Sequence, residues 1–173
     1  PQHLEPTTTH KFFKLLHDKG VLLRVYTQNI DALEFVAGLP DEKVVEAHGS
    51  FQRSYCTECE ETYDLPWLKR EIFATDANGG VPKCEQCGGV VRPDVVLFGE
   101  SLPSRFAECS RKDFPKCDLL LVFGTSLVVA PFNGLADKPE RGVPRVYVNK
   151  SKPGHVGWLG RFMGMRGGRI HFD

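Results

Sequence analysis

No stretch of 18 consecutive apolar residues occurs in this 173-residue chain, so nothing in it reads as a membrane-spanning helix. The longest apolar run, 119–123, is only as long as a buried strand. An excess of charge is missing as well, because Lys+Arg and Asp+Glu each number 22. A balanced chain exerts no long-range pull on nucleic acid or an acidic membrane, so neither is expected as a direct partner. There is no internal repeat and no low-complexity tract. A signal peptide is not visible and there is no initiator Met; the abrupt start at Pro1 reads as truncation.

What is present fits one domain with a real core, or one domain with a small appendage: 41% of residues are hydrophobic and 25% charged. Residues 7–19 predict a helix, with Thr at 7–9 as the cap, Phe12, Phe13, Leu15 and Leu16 at helical spacing, and Gly20 as the stop. A strand follows over 21–29, then a second helix from near Asp31 to the Gly38-Leu39-Pro40 break. A further strand is predicted over 44–51. Residues 52–91 change character and read as an inserted module with a loop rich in Asn and Gly at 76–80. Strand-like sequence resumes at 90–100. A helix is predicted over 103–112, and strands over 117–126 and 143–151. The end, 152–173, is Gly-rich with Trp158 and Phe162 close together.

The strands are short, continuous apolar runs, which suit a parallel sheet covered on both faces better than a sheet with one wet face. The predicted class is therefore α/β, a Rossmann-like parallel sheet with helices on both faces, carrying a small cysteine module. Its organisation is predicted as 1–51 and 92–173 forming the large domain around the module at 52–91. Each strand ends in polar or small residues: TQN, AHG, FGE, GTS and VNK. In open parallel sheets, ligands bind at the carboxyl ends of strands, so these five ends predict a site.

Four of the six cysteines form two pairs, Cys56-x-x-Cys59 and Cys84-x-x-Cys87, separated by 24 residues. A two-residue gap lets both thiolates of a turn face one ion, and two such turns make the tetrahedral four-sulfur shell that zinc prefers. With no position left for water, the metal would be structural. The alternatives are a redox pair or two disulfides, but thioredoxin-type chemistry uses one such motif at a helix start. Cys109 and Cys117 have no partner at ligand spacing and read as ordinary thiols.

The polar strand ends are weaker signals singly. Gly124, Thr125 and Ser126 follow a buried strand and could face phosphate or ribose, or simply make a tight turn. His48 sits at a strand end beside a glycine; imidazole can act as a base at neutral pH, yet a lone His more often caps or packs. The other five histidines read as surface or structural. Gln28, Asn29 and Asp31 place two amides and a carboxylate on one loop, suited to sugar hydroxyls and a carboxamide, or to an Asx turn and helix cap. Phe98 and Gly99 combine an aromatic wall with a flexible backbone, as a substrate groove or an unremarkable strand end would.

Read together, YTQNIDALE (26–34), EAHGSF (46–51), the two cysteine pairs, RPDVVLFGESLP (92–103), LLLVFGTSLVVAPF (119–132) and VNK (148–150) closely resemble the sirtuin family, and most of all its class I branch. The resemblance runs from Pro6 to about Lys150. It implies an NAD-dependent protein-lysine deacetylase or deacylase with a Rossmann-like NAD domain and one structural zinc. The acyl oxygen of the substrate would attack C1′ of the nicotinamide ribose, nicotinamide would leave, and the acyl group would pass to ADP-ribose. His48 would be the general base, an effect typically worth ~10²–10⁴-fold. Asn29 and Asp31 would share the catalytic centre. Gln28 and Asn29 match ribose contacts, and Ile30 and Asp31 match the nicotinamide pocket. Gly124, Thr125 and Ser126 match phosphate and ribose contacts, and Asn149 and Lys150 match the adenosine ribose. On the substrate side, the Val96 carbonyl would accept from the acyl-lysine Nε–H and Phe98 would wall the tunnel. Gly99 and Glu100 on one side and Val128 with 129–131 on the other would sandwich the peptide by strand addition.

Two family features are not found in this chain: a Gly-Ala-Gly-hydroxyl loop after the first strand, and a Gly-Ile-Pro-Asp-Phe-Arg stretch. The loop supplies backbone N–H groups for the pyrophosphate, so the chain alone is expected to bind NAD poorly and turn over little. Leu97 stands where relatives often carry Phe, and reshapes the acyl-lysine wall. A non-catalytic zinc-containing module that binds acyl-lysine or a partner, and an NAD-dependent mono-ADP-ribosyltransferase, are the competing readings. The implied partner is an acyl-lysine protein or peptide, histone- or tubulin-like. The implied compartment is the cytoplasm or nucleus, with the mitochondrion also open.

Overall fold

The computed structural model describes residues 4–73 and 80–150. Residues 76–79 of the Asn/Gly loop and the Gly-rich end at 152–173, with Trp158 and Phe162, lie outside the described residues. Two compact units divide between Phe106 and Ala107.

The first unit opens with helix α1, Thr8–Asp18. Its cap is reciprocal but unusual. The Thr7 N–H donates to His10 Nδ1 at 3.2 Å, and Thr7 Oγ1 lies 2.8 Å from the same nitrogen. His10 thus fills the place that Glu or Gln takes in a capping box. At the other end, the Val21 N–H reaches back to the Leu16 carbonyl at 3.1 Å, closing the helix around Gly20. Strands β1, Val25–Thr27, and β2, Val44–Glu46, pair in parallel with Thr27 opposite Glu46. Between them lies the short helix α2, Leu33–Val36. Val25, Leu39 and Val44 are buried against Phe13, Leu22 and Phe35, tying both helices to the parallel pair. Burying each such aliphatic side chain is worth roughly 1.5–3 kcal/mol.

The sequence predicts one strand over 44–51, but the chain forms two. β2 stops at Glu46, and β3, Gly49–Cys56, starts a different, antiparallel sheet. The change of direction occupies Ala47 and His48 and is completed by Gly49 at φ +68°. A Cβ at position 49 would stand 1.9 Å from the Asp94 carbonyl oxygen, so only glycine fits where these two backbones meet. The antiparallel sheet has the order β4-β3-β5, with β4 at Thr62–Asp64 and β5 at Val91–Val95. Helix α3, Leu65–Phe73, covers it, with Trp67 and Leu68 buried against Cys56, Cys84 and Val91.

Helix α4, Ser104–Asp113, spans the division between the units. In the second unit, β6, Leu120–Phe123, and β7, Arg145–Val148, form another parallel pair, with Phe123 opposite Val148. Val122, Leu127 and Ala136 form its core, flanked by Leu120 and Tyr147. The architecture is mixed α/β, as expected: parallel pairs plus a small antiparallel sheet that carries the cysteines. The paired strands are shorter than the apolar runs predict. Among the described residues, no helix is long and apolar enough to cross a membrane.

Candidate catalytic and metal sites

β3 ends at Cys56, and the turn after it brings round Cys59; the bridge between Lys83 and Val90 sets Cys84 and Cys87 opposite them. The four sulfurs lie within 4.8 Å of one another. Cys56 and Cys87 are 3.5 Å apart, Cys59 and Cys84 3.5 Å, and Cys59 and Cys87 3.4 Å. A disulfide would need about 2.05 Å. Thiolates around one zinc at about 2.3 Å would stand about 3.8 Å apart, close to the spacing found. Backbone N–H groups of Glu58, Gln86 and Gly89 each point at a cysteine sulfur at 3.4 Å, on Cys56, Cys84 and Cys87 respectively. Such donors stabilise negative charge on the sulfurs.

Electrostatics point the same way. Tyr63 Oη donates to Cys84 Sγ at 3.2 Å, and this bond, offset in part by desolvation, brings the thiol down to about 6. Cys59 accepts a backbone hydrogen bond in the Glu61 turn that favours its thiolate, yet Cys87 and the other nearby sulfurs push it up to about 12. Four thiolates this close repel one another, and a divalent cation is what resolves the repulsion. Donor type, spacing and charge all fit a structural zinc. Tyr63 itself is stacked on Trp67 with ring centroids 3.8 Å apart, and Trp67 Nε1 donates to Glu85 at 2.6 Å. The spacing of the cysteines was legible in the sequence. The supporting role of Tyr63 was not, because nothing in its neighbourhood marks it as a thiolate donor.

The second candidate site lies at the carboxyl ends of β1 and β2. Parallel pairing sets Gln28 and Asn29 beside Ala47 and His48, and the Ala47 N–H continues the ladder to the Thr27 carbonyl at 2.9 Å. His48 Nδ1 lies 3.0 Å from the Gln28 carbonyl oxygen. A carbonyl can only accept, so Nδ1 carries the proton and Nε2 is the basic nitrogen of the neutral ring. The His48 carbonyl in turn accepts from the Val96 N–H at 3.0 Å. One residue therefore joins the Gln28 loop to the Val96 loop.

Asn29 and Asp31 are exposed, Gln28 and Ile30 half-buried. The Asn29 N–H is held by Thr27 Oγ1 at 3.1 Å, and Asp31 Oδ1 accepts from the Leu33 N–H at 3.1 Å, an Asx turn at the start of α2. Asp31 also has an oxygen within 4.8 Å of a His10 ring nitrogen and a Glu34 carboxylate oxygen. Glu34 is 98% buried and its Oε2 has no hydrogen-bond partner. Nothing in the sequence marks this cluster: His10 reads there as surface or structural, and the cap on α1 is its structural role.

In the second unit, the parallel register sets Gly124, Thr125 and Ser126 beside Asn149 and Lys150. The Thr125 carbonyl accepts from Tyr147 Oη at 2.5 Å and from Asn149 Nδ2 at 3.2 Å, while Thr125 Oγ1 accepts from the Leu127 N–H at 3.2 Å. Nothing stands within 4 Å of where a Cβ on Gly124 would be, so this backbone is open to a ligand. Hydroxyl, amide and backbone N–H donors at these strand ends fit ribose and phosphate oxygens. On the substrate side, Val96 is half-buried, and Leu97, Phe98, Gly99, Glu100 and Val128 are exposed, Phe98 completely.

Comparison with known proteins places these features in context. The model of the Sir2 family matches residues 1–131. The chain is 52% identical over 157 residues to the NAD-dependent deacetylase sir2A of Dictyostelium discoideum, covering 89% of this chain and 30% of the relative. It is 46% identical over 176 residues to the NAD-dependent protein deacetylase sirtuin-2 of Danio rerio, covering 100% of this chain and 45% of that protein. Against the NAD-dependent protein deacetylase sirtuin-3 of Mus musculus the identity is 47% over 154 residues, covering 89% and 45%. The chain thus spans less than half the length of each of these relatives.

Proposed function

The chain belongs to the Sir2 family, and on that premise we propose that it forms part of an NAD-dependent protein-lysine deacetylase. NAD supplies the ADP-ribose that accepts the acyl group and the nicotinamide that departs. The observation that carries the reading is the orientation of His48, whose Nδ1–H is committed to the Gln28 carbonyl at 3.0 Å. That commitment keeps Nε2 as proton acceptor for a ribose hydroxyl. The names of the relatives, all NAD-dependent deacetylases, support the activity.

Within this proposal Gln28 and Asn29 bind ribose hydroxyls, and Ile30 and Asp31 receive the carboxamide. Gly124, Thr125 and Ser126 hold phosphate and ribose, and Asn149 with Lys150 holds the adenosine ribose. The Val96 carbonyl and Phe98 orient the acyl-lysine, with Gly99, Glu100 and Val128 flanking the peptide. Cys56, Cys59, Cys84 and Cys87 hold zinc for structure alone. Residues 1–51 and 92–173 belong to the nucleotide-binding domain and 52–91 to the metal module. We place the substrates among acylated proteins of histone or tubulin type, and the protein in the cytoplasm or nucleus.

The test uses the full-length protein with NAD and an acetyl-lysine peptide. Nicotinamide release that depends on the peptide, with loss of the acetyl mass from it, is the expected outcome. Gain of an ADP-ribose mass on the protein substrate would establish transfer instead. Peptide binding with no release would reduce the site to a binding module.

A further inference from the structure

The loop after β5 carries the residues proposed to meet the acyl-lysine, and it is tied down at both ends. The Glu100 N–H closes a four-residue turn onto the Leu97 carbonyl at 3.0 Å, with Gly99 at φ +93° in the third position. That position of a type II turn needs a positive φ, which glycine supplies. Phe98 stands at the tip, fully exposed. The Glu100 side chain folds back beneath the turn. Its Oε2 accepts from the Leu97 N–H at 2.8 Å. Arg92, on β5, grips the same carboxylate with both terminal nitrogens: Nη1 to Oε1 at 2.6 Å and Nη2 to Oε2 at 3.1 Å. Nη2 also donates to the Val95 carbonyl at 2.7 Å, and the guanidinium carbon sits 5.7 Å from the Tyr55 ring centroid.

Arg92 and Glu100 together therefore hold Val95, Leu97 and the turn in one geometry, while the His48 carbonyl holds Val96 from the other side. Both oxygens of Glu100 are engaged within the chain. A carboxylate so committed is poorly placed to recognise a peptide, whereas a two-point guanidinium fork fixes orientation as well as distance. An ordinary exposed ion pair adds little to stability, so a fork at the foot of an exposed aromatic turn is better explained by what the turn presents.

Resting on the deacetylase reading, we propose that Arg92 and Glu100 are positioning residues for the acyl-lysine substrate: they preorganise the 96–99 loop that presents Phe98 and the Val96 carbonyl. The pair touches neither nucleotide nor reacting atoms. Its loss is felt in substrate affinity, because a loosened loop must be ordered at each binding event.

Two variants of the full-length protein test this: Glu100→Gln, which keeps the shape but not the charge, and Arg92→Lys, which keeps the charge but not the fork. For Glu100→Gln, KM for an acetyl-lysine peptide should rise about tenfold, with KM for NAD changed less than about twofold and Tm nearly unmoved. Arg92→Lys should raise the peptide KM by a similar factor, because one ammonium cannot hold both Glu100 oxygens and the Val95 carbonyl at once. Equal rises in both KM values, or an unchanged peptide KM, would overturn the proposal. Amide hydrogen exchange at Leu97 judges the clamp without any turnover. Protection should fall about tenfold in Glu100→Gln, and unchanged protection would refute the clamp. Absence of peptide-dependent nicotinamide release in the unaltered protein would instead refute the deacetylase reading.

Discussion

The imidazole of His48 donates Nδ1–H to the backbone carbonyl of Gln28 across 3.0 Å, from one parallel strand end to its neighbour. Because the acceptor is main chain, no side-chain substitution at position 28 removes it. The tautomer is fixed by the pairing of β1 and β2 itself.

It follows that His48→Gln should lower kcat/KM for acetyl-lysine peptide by ~10²–10⁴-fold, the usual worth of a positioned base. The half-buried ring supports little of the core, so Tm should move by only a few degrees. Nicotinamide release and thermal melting check the two halves. A variant that retained near-full turnover would remove His48 from the mechanism.

The four-cysteine cluster predicts one zinc per chain by elemental analysis. Substituting Cys84→Ser should abolish it and cost ~3 kcal/mol or more, a fall in Tm of about 6–12 °C for a domain of this size. Tyr63→Phe tests the environment of the metal. It deletes the hydroxyl that donates to Cys84 and leaves the stack on Trp67. Zinc affinity, measured by competition with a chelator, should fall roughly tenfold, as it does when partners behind the ligands are lost.

Gly49→Ala should be far more damaging than its size suggests. The added methyl would meet the Asp94 carbonyl at 1.9 Å, at a backbone conformation that L residues rarely adopt. A loss of ~2 kcal/mol or more is expected, read as a lowered Tm and poor soluble yield. Gly99→Ala, at φ +93° with open space around it, should be milder, because it carries the conformational cost alone.

Acid should release the Arg92–Glu100 fork late. The Arg92 hydrogen bonds first, and then the Leu97 N–H, hold the Glu100 carboxyl down from the ordinary 4.5 to about 2. A carboxylate whose folded value is depressed adds stability in full above its unfolded value, and that contribution is lost as pH falls through the folded value. The difference in Tm between the unaltered protein and Glu100→Gln should therefore be flat above about pH 4.5 and shrink towards pH ~2. The pair is partly exposed, so the difference is small and should shrink further in high salt.

Much of this is legible in the sequence, and each exception has its own physical cause. Cysteine spacing is a local pattern, so the metal cluster could be read directly. The polar ends of apolar strands are also local, and the parallel pairs put four of the five side by side, two within each unit, whereas FGE follows β5 of the antiparallel sheet. What periodicity could not show was where one apolar run changes sheets. VVEAHGSF reads as a single strand, yet the chain leaves the parallel pair at Ala47 and enters the antiparallel sheet at Gly49. The marker is the His-Gly pair, which carries a steric signal as well as a functional one. The fork on Glu100 was invisible for another reason: its partner lies eight residues earlier, and only a turn brings the two together. Glu34 was hidden because a carboxylate on a short helix is expected to face water, whereas here it is enclosed.

The link between β2 and β3 has a further consequence. Only Ala47 and His48 separate β2 from β3, which ends in Cys56, so the imidazole rides on the joint between the parallel pair and the sheet that carries the cysteines. Oxidation of the four thiolates would therefore be expected to loosen the end of β3 and, with it, the hold of the Gln28 oxygen on a ring that is itself chemically untouched. The imidazole NMR signals of His48 should register the change when the cysteine thiolates are oxidised.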